Sequence, residues 1–316
     1  MDLPETGAIA VFGPVPPIAL NGLPKERLRI VCHVKPDFDQ LQAAGYSVGT
    51  EAPESAALAI VFLPRAKQQA RALVAAALAL AGDVIIDGQK SDGIDSLYRE
   101  MRDRAQVSEA FSKAHGKTFR ARAGGDAFAD WVQSGVAQEN AAGFVTRAGV
   151  FSADGIDPAS RLLAETLPKV LGAHVADLGA GWGYLGAQIL QRESVQRLDL
   201  VEADLAALEC AQANISDPRA QFHWADATRW IAEGRLDAVV MNPPFHQGRK
   251  GLPELGQAFI AAAAKMLAPS GRLWLVANRH LPYEKAVTAH FREAGEIGGD
   301  TRFKIIQAAR PTRKRQ

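Results

Sequence analysis

The sequence predicts an α/β chain of two tandem units, each a mostly parallel sheet with helices packed on both faces. Three observations predict it. At 316 residues the chain exceeds the roughly 100–200 of an average domain. Short β-rich apolar runs alternate with runs of helical period, the pattern of parallel strands joined by crossover helices. Segments of the first half also reappear, in order, in the second.

In the first half, apolar runs at 9–12, 28–34, 58–62 and 83–86 read as strands. The second half reads as strands near 174–178, 196–202, 221–224, 236–241, 272–277 and 303–308. Helices are expected near 158–167, 184–191, 205–214, 252–267 and 283–293. Asp157 before Pro158 is a start signal, with a carboxylate cap and a proline in the first helical position. Gly- and Ala-rich stretches at 121–125 and 134–143 are the places for an inter-domain connection.

The repeat aligns Leu58-Ala59-Ile60-Val61-Phe62-Leu63-Pro64 with Asp237-Ala238-Val239-Val240-Met241-Asn242-Pro243. It continues with 82–86 against 271–275 and with 117–120 against 301–304. Leu63 stands where the second half has Asn242, and no glycine-rich turn follows the first-half strands. The N-terminal half thus kept a scaffold and lost a reaction.

Composition narrows the class. Hydrophobic residues make up 47% and charged residues 22%, the profile of a globular chain with a sizeable core. The most apolar helix-like stretch, 70–81, is shorter than the roughly 20 residues needed to cross a bilayer, and the acidic start is unlike a signal peptide. A cytoplasmic protein with no membrane contact is expected. The two cysteines, Cys32 and Cys210, lie in apolar runs and suggest no disulfide, and the histidines lack ligand spacing, so no metal is expected. Net charge is +1, but 113–122 and 301–316 are locally basic, and counterion release would favour phosphate there as well as a merely solvated face.

The chemistry concentrates in the second half. Asp177-Leu178-Gly179-Ala180-Gly181-Trp182-Gly183 joins a strand to a helix, and glycines there let backbone approach a ligand where a Cβ would collide. Gly181 to Gly186 also spells the dinucleotide string G-x-G-x-x-G. Asp177 would repel a pyrophosphate but suits the ammonium of a methionine moiety. Glu202, ending the next strand, is placed to accept from ribose hydroxyls. Asp226 can accept from an adenine amino group, with Ala227 or its neighbour supplying a backbone N–H, and can also be the N-cap of a helix through Arg229-Trp230-Ile231. Asn242-Pro243-Pro244-Phe245 ends the fourth strand. Asn242 Oδ1 and the Pro243 carbonyl can each accept a proton of a flat amine, drawing its lone pair toward a sulfonium methyl. The two prolines preorganise these acceptors, Phe245 stacks on the substrate, and His246 is a lesser candidate as a base.

Together these residues resemble class I methyltransferases acting on exocyclic nitrogen. With 149–157, Asn242 to His246, 276–283 and Arg302-Phe303-Lys304, the chain looks like the ribosomal RNA guanine-N2 methyltransferases of the RsmC and RlmG type. That resemblance implies two tandem Rossmann-like methyltransferase domains, each a mostly parallel seven-stranded sheet. Residues 1–140 would be the degenerate one, engaging RNA, and 141–316 the catalytic one. It further implies S-adenosyl-L-methionine as cofactor, ribosomal RNA or a ribosomal subunit as partner with the small subunit favoured, and a monomer. The alternatives are methylation of adenine N6 or a protein glutamine amide, an NAD(P)-linked oxidoreductase, or a silent RNA-binding module.

Overall fold

The computed structural model describes residues 2–14, 20–124, 127–244, 246–247, 250–251 and 253–312. Contacts divide the chain into two units, Met1–Ala137 with Arg147–Gly149, and Gln138–Thr146 with Val150–Gln316.

The first unit runs β1 (Ile9–Phe12), β2 (Leu28–Val31), α1 (Lys35–Ala43), β3 (Val48–Gly49), β4 (Leu58–Phe62), α2 (Lys67–Ala81) and β5 (Asp83–Gln89). It ends with α3 (Ile94–Arg102), β6 (Gln106–Val107), β7 (Phe111–Lys113), β8 (Gly116–Arg122) and α4 (Ala129–Gln133). Its sheet has the order β3-β2-β1-β4-β5-β8-β6, with β7 also paired to β8. The strands β1 to β5 are parallel and β8 antiparallel to β5. Every residue of β1 and β4 is buried, as expected of central strands covered on both faces.

The second unit begins with β9 (Gln138–Glu139), β10 (Val145–Thr146), α5 (Pro158–Thr166), β11 (His174–Leu178), α6 (Tyr184–Leu190), β12 (Arg197–Glu202), α7 (Leu205–Asn214), β13 (Ala220–Trp224) and β14 (Leu236–Met241). It continues with β15 (His246–Gln247), β16 (Lys250–Gly251), α8 (Pro253–Met266), β17 (Leu267–Asn278), α9 (Tyr283–His290), β18 (Phe291–Gly299) and β19 (Phe303–Pro311). The main sheet has seven strands in the order β13-β12-β11-β14-β17-β19-β18. This is the order of the first unit position for position. The aligned repeat pairs fall on equivalent strands, β4 with β14, β5 with β17 and β8 with β19, so the duplication read from sequence is a duplication of topology.

Alternation along the strands of the second unit makes two cores. Ala176, Leu178, Val239 and Met241 face Phe259 and Ile260 of α8, and Val175, Ala238 and Val240 face Leu163 of α5 and Ile189 of α6. The α5 start is as read: Asp157 Oδ2 accepts the Ser160 N–H at 2.8 Å, with Pro158 at the first helical position.

Two expectations are corrected. The helix expected over 283–293 stops at His290, and Phe291 opens the unforeseen strand β18, antiparallel to β19. Its polar, Gly-rich sequence has little strand preference, and its conformation comes from pairing. Arg292, Glu293 and Glu296 are exposed along this sheet edge, where charge discourages pairing with another chain. The expected linker at 121–125 is not one at its start, since Ala121 and Arg122 belong to β8; Gly125 lies outside the described residues.

Helix α8 meets α9 through a glycine. A Cβ at Gly256 would lie 2.0 Å from the hydroxyl oxygen of the fully buried Tyr283. A stiff buried ring cannot yield that much, so overpacking of roughly 3 kcal/mol outweighs the roughly 1 kcal/mol an alanine gains in helix propensity. Gly256→Ala is expected to lower unfolding free energy by about 2 kcal/mol, measured by chemical denaturation; an unchanged midpoint would show that the ring is not wedged.

Candidate functional site

Strands β11, β12 and β14 are parallel, so the segments leaving them emerge on one edge of the sheet. After β11 comes the glycine turn. Gly179, Gly181 and Gly183 have φ of 78°, 56° and 91°, a region that L side chains seldom enter. A Cβ on Gly181 would meet nothing within 4 Å, so its glycine serves the dihedral and leaves open space beside the backbone. At Gly186 a Cβ would lie 2.6 Å from Leu200 Cδ2, so there the glycine lets α6 pack on the sheet.

Asp177 is fully buried, and neither carboxylate oxygen has a hydrogen-bond partner. Burial, reinforced by the negative charge of Glu202, pushes its carboxyl up to about 8. The Gly186 N–H opposes this without making a hydrogen bond of normal geometry. Glu202 is tied in place by backbone: Oε2 accepts the Gly181 N–H at 2.7 Å and Oε1 the Asp204 N–H at 2.8 Å. Its carboxyl is also raised, chiefly by burial. Asp226 Oδ1 accepts from the Thr228 N–H at 2.8 Å and from the Thr228 hydroxyl at 2.6 Å. Asp226 thus closes a local turn, and the helix whose start it was expected to mark does not form. Ala227 beside it is buried.

At the end of β14, Asn242 Nδ2 donates to Asp157 Oδ2 at 3.0 Å and to Ser160 Oγ at 2.8 Å. Its Oδ1 is buried and unpartnered. Pro243 is buried and Pro244 exposed. Phe245 and the side chain of His246 lie outside the described residues. A narrow cavity joins the two strand ends, lined by Asn242, Gly179, Ala180 and Gly181 together with Asp157, Ser160, Phe151, Ser152, Trp182, Tyr184 and Leu185. Gly183, Asp177, Glu202, Asp226 and Ala227 do not line it. Of these, Asp177 sits behind the glycine turn and Glu202 holds that turn through Gly181.

Sequence reasoning missed Asp157 and Ser160 as partners of Asn242, having read Asp157 only as a helix cap. The signal was Asp-Pro-x-Ser itself, a capping pair with polar groups left over. It also missed Phe151, which is exposed at the cavity and has its carbonyl held by Trp182 Nε1 at 2.9 Å.

The basic stretch 113–122 is largely ion-paired within the chain. Lys117 pairs with Asp95 at 2.6 Å, and Arg120 and Arg122 share Asp83 at 2.6 and 2.9 Å, so most of its charge is compensated within the chain. In the second stretch Lys304 is buried against Leu281 O and Glu284, and Arg310 pairs with Glu293 at 3.0 Å. Arg313, Lys314 and Arg315 lie outside the described residues. Among the described residues no group of three or more His, Cys, Asp and Glu side chains could hold a metal, and no helix is long and apolar enough to cross a membrane.

A sequence family described as methyltransferase small domain matches residues 141–307. The ribosomal RNA small subunit methyltransferase C of Shewanella halifaxensis (strain HAW-EB4) is 30% identical over 309 residues, covering 90% of each chain. The ribosomal RNA large subunit methyltransferase G of Alcanivorax borkumensis is 33% identical over 171 residues, covering 52% of this chain and 44% of that one. Among solved structures, a 16S rRNA N2 G1207 methyltransferase of T. thermophilus, in complex with AdoMet and guanosine, superposes with a TM-score of 0.82. It covers 98% of this chain and 90% of that one at 23% identity, which shows a shared fold. The chain belongs to the methyltransferase small domain family and, within it, to the ribosomal RNA methyltransferases of the RsmC and RlmG type.

Proposed function

We propose that the chain transfers a methyl group from S-adenosyl-L-methionine to the exocyclic N2 amine of a guanine in ribosomal RNA, that of the small subunit. The observation that carries this reading is the Asn242 amide, whose oxygen is buried without a partner beside the glycine turn. A buried acceptor left unsatisfied costs roughly 1–3 kcal/mol, so it marks a place where a donor belongs. The substrate amine is such a donor.

The residues present fit the cofactor. An orphaned buried acid at Asp177, the open side of Gly181 and two Glu202 oxygens with one backbone bond each are the features a zwitterionic nucleoside needs. Asp177, Gly179, Ala180, Gly181, Gly183, Glu202, Asp226, Ala227 and Asn242 would hold it. S-adenosyl-L-methionine, when bound, supplies the methyl group on a sulfonium sulfur that departs as a neutral thioether.

The chain's own contribution is to prepare the amine. The lone pair of guanine N2 is delocalised into the ring, so the nitrogen is a poor nucleophile until it pyramidalises. Asn242 Oδ1 accepts one of its protons and the Pro243 carbonyl the other, favouring the geometry in which the lone pair is free. Pro243 and Pro244 restrict the backbone carrying both acceptors, and Phe245 stacks on the base. The product ammonium is acidic enough to lose a proton to water, so no strong base is needed. Residues 1–140 are assigned to engaging the RNA and 141–316 to the reaction.

Asn242→Ala is expected to lower turnover roughly 100-fold or more and to leave cofactor affinity within a few-fold, measured by methyl transfer to small-subunit RNA and by calorimetry. Equal loss of binding and turnover would overturn the assignment. For Asp177, the folded carboxyl titrates at about 8 against an ordinary value of 3.8. The folded state therefore takes up a proton between those values, and this stabilising contribution, full below the lower one, is lost as pH rises through the upper. Asp177→Asn removes that loss. Its melting temperature should exceed that of the parent by a margin growing from about pH 5 to about pH 9, while cofactor affinity falls roughly 10-fold or more. A margin independent of pH would mean that Asp177 is ionised in the free chain.

A further inference from the structure

We infer that Asp157 and Ser160 are positioning residues that lock the Asn242 side-chain amide with its oxygen, and not its NH2 group, toward the reacting amine. The inference deepens the reading above and rests on it. It starts from the two hydrogen bonds that Nδ2 donates, to Asp157 Oδ2 at 3.0 Å and Ser160 Oγ at 2.8 Å.

The assignment of nitrogen and oxygen here is a matter of chemistry. A carboxylate only accepts, so the atom of Asn242 facing Asp157 must be a donor. Turned over, the amide would set its oxygen against a carboxylate oxygen at hydrogen-bond distance and lose the bond to Asp157, while the Ser160 hydroxyl, which can donate as well as accept, fits either orientation. An unclamped amide has no such preference. Half of its orientations would show an NH2 group to the substrate NH2 group, donor against donor.

The clamp is itself held. Asp157 Oδ2 also accepts the Ser160 N–H at 2.8 Å, Pro158 restricts the backbone between them, and Asp157 caps α5 while Ser160 sits in its first turn, with Leu163 of the same helix packed in the core. One helix start thus serves a second strand end. With both N–H bonds of Nδ2 used, Oδ1 is left buried and without a partner. The site thereby selects for a donor at that point, so guanine, with an amine at C2, is preferred over hypoxanthine, which has none.

The test separates this role from helix capping. Ser160→Ala removes one acceptor and leaves the cap. Asp157→Ser keeps a good capping residue but withdraws the carboxylate from Asn242. Each is expected to lower kcat by about 10-fold with KM for RNA and calorimetric cofactor affinity within two- to three-fold of the parent. A folded chain is checked by an unchanged melting temperature, and Ser160→Thr, which restores a hydroxyl, should recover most of kcat. The second readout is binding without turnover: with S-adenosylhomocysteine present, the preference for guanosine over inosine should shrink in both variants and vanish in Asn242→Ala. Adding either substitution to Asn242→Ala should then change nothing further. A structural role would instead give additive losses in that background and no change in the guanosine preference, and would overturn the inference. Turnover retained in Asn242→Ala would overturn the amine reading beneath it. A silent Asn242→Ala beside fully active Ser160→Ala and Asp157→Ser would sink the clamp alone.

Discussion

Strands β11 and β14 lie side by side although β12 and β13 come between them in the chain, and the site depends on this pairing. The chain leaves β11 toward β12 on one side and returns on the other as β14, so the connections from neighbouring strands diverge and leave a crevice at their ends. Register does the rest. Val175 pairs with Ala238 and Asp177 with Val240, which brings the glycine turn and Asn242 out on the same edge within reach of one cavity. No residue of either segment could do this through local structure. Close-packed apolar side chains on both faces hold the register, since a slip by one residue would exchange the two faces of the sheet.

Burial alone does not distinguish a functional acid from a structural one in this sheet, and partners do. Asp177 and Asp199 are both inaccessible to solvent, on adjacent strands. Burial also opposes the charge of Asp199, but hydrogen bonds from His223, Arg197 and His174 hold its carboxyl down at about 2. That acid is complete, and its work is to tie strands together. Asp177 has no such partners, and its carboxyl rises to about 8. Asn242 Oδ1 repeats the pattern with a neutral acceptor. Two unsatisfied buried acceptors in one small region are a cost that folding did not need, which is why they point to binding.

Much of this was legible in the sequence because central parallel strands announce themselves. The runs at 9–12, 58–62, 174–178 and 236–241 coincide with β1, β4, β11 and β14, each apolar enough to be buried on both faces. The strand β18 was not legible, because an exposed edge strand owes its conformation to the neighbour it pairs with and its residues carry no period. The glycine turn was found from its string, and the structure adds a second reason for it at Gly181: a positive φ, with open space beside the backbone. Charge was the least readable quantity. Lys117, Arg120 and Arg122 look like a basic stretch in one dimension, yet their acids, Asp95 and Asp83, come from other elements. Asp157 and Ser160 were hidden in the same way, since their meeting with Asn242 is a tertiary fact.

The first unit shows what the site requires by lacking its acceptor. Its sheet has the same strand order, and β1 and β4 pair in parallel as β11 and β14 do. Yet the backbone at Gly13, directly after β1, lies against its neighbour: a Cβ there would be 2.0 Å from the Phe62 carbonyl oxygen, whereas one on Gly179 would meet nothing nearer than 3.5 Å. Where the second unit has Asn242, the first has Leu63, buried and apolar. Leucine offers no acceptor for a substrate amine. A fold can keep its topology on apolar packing alone, but it keeps a reaction only while the crevice stays open and its acceptors stay unsatisfied. The first unit has replaced that acceptor with Leu63, and the change removes a cost that the second unit still bears.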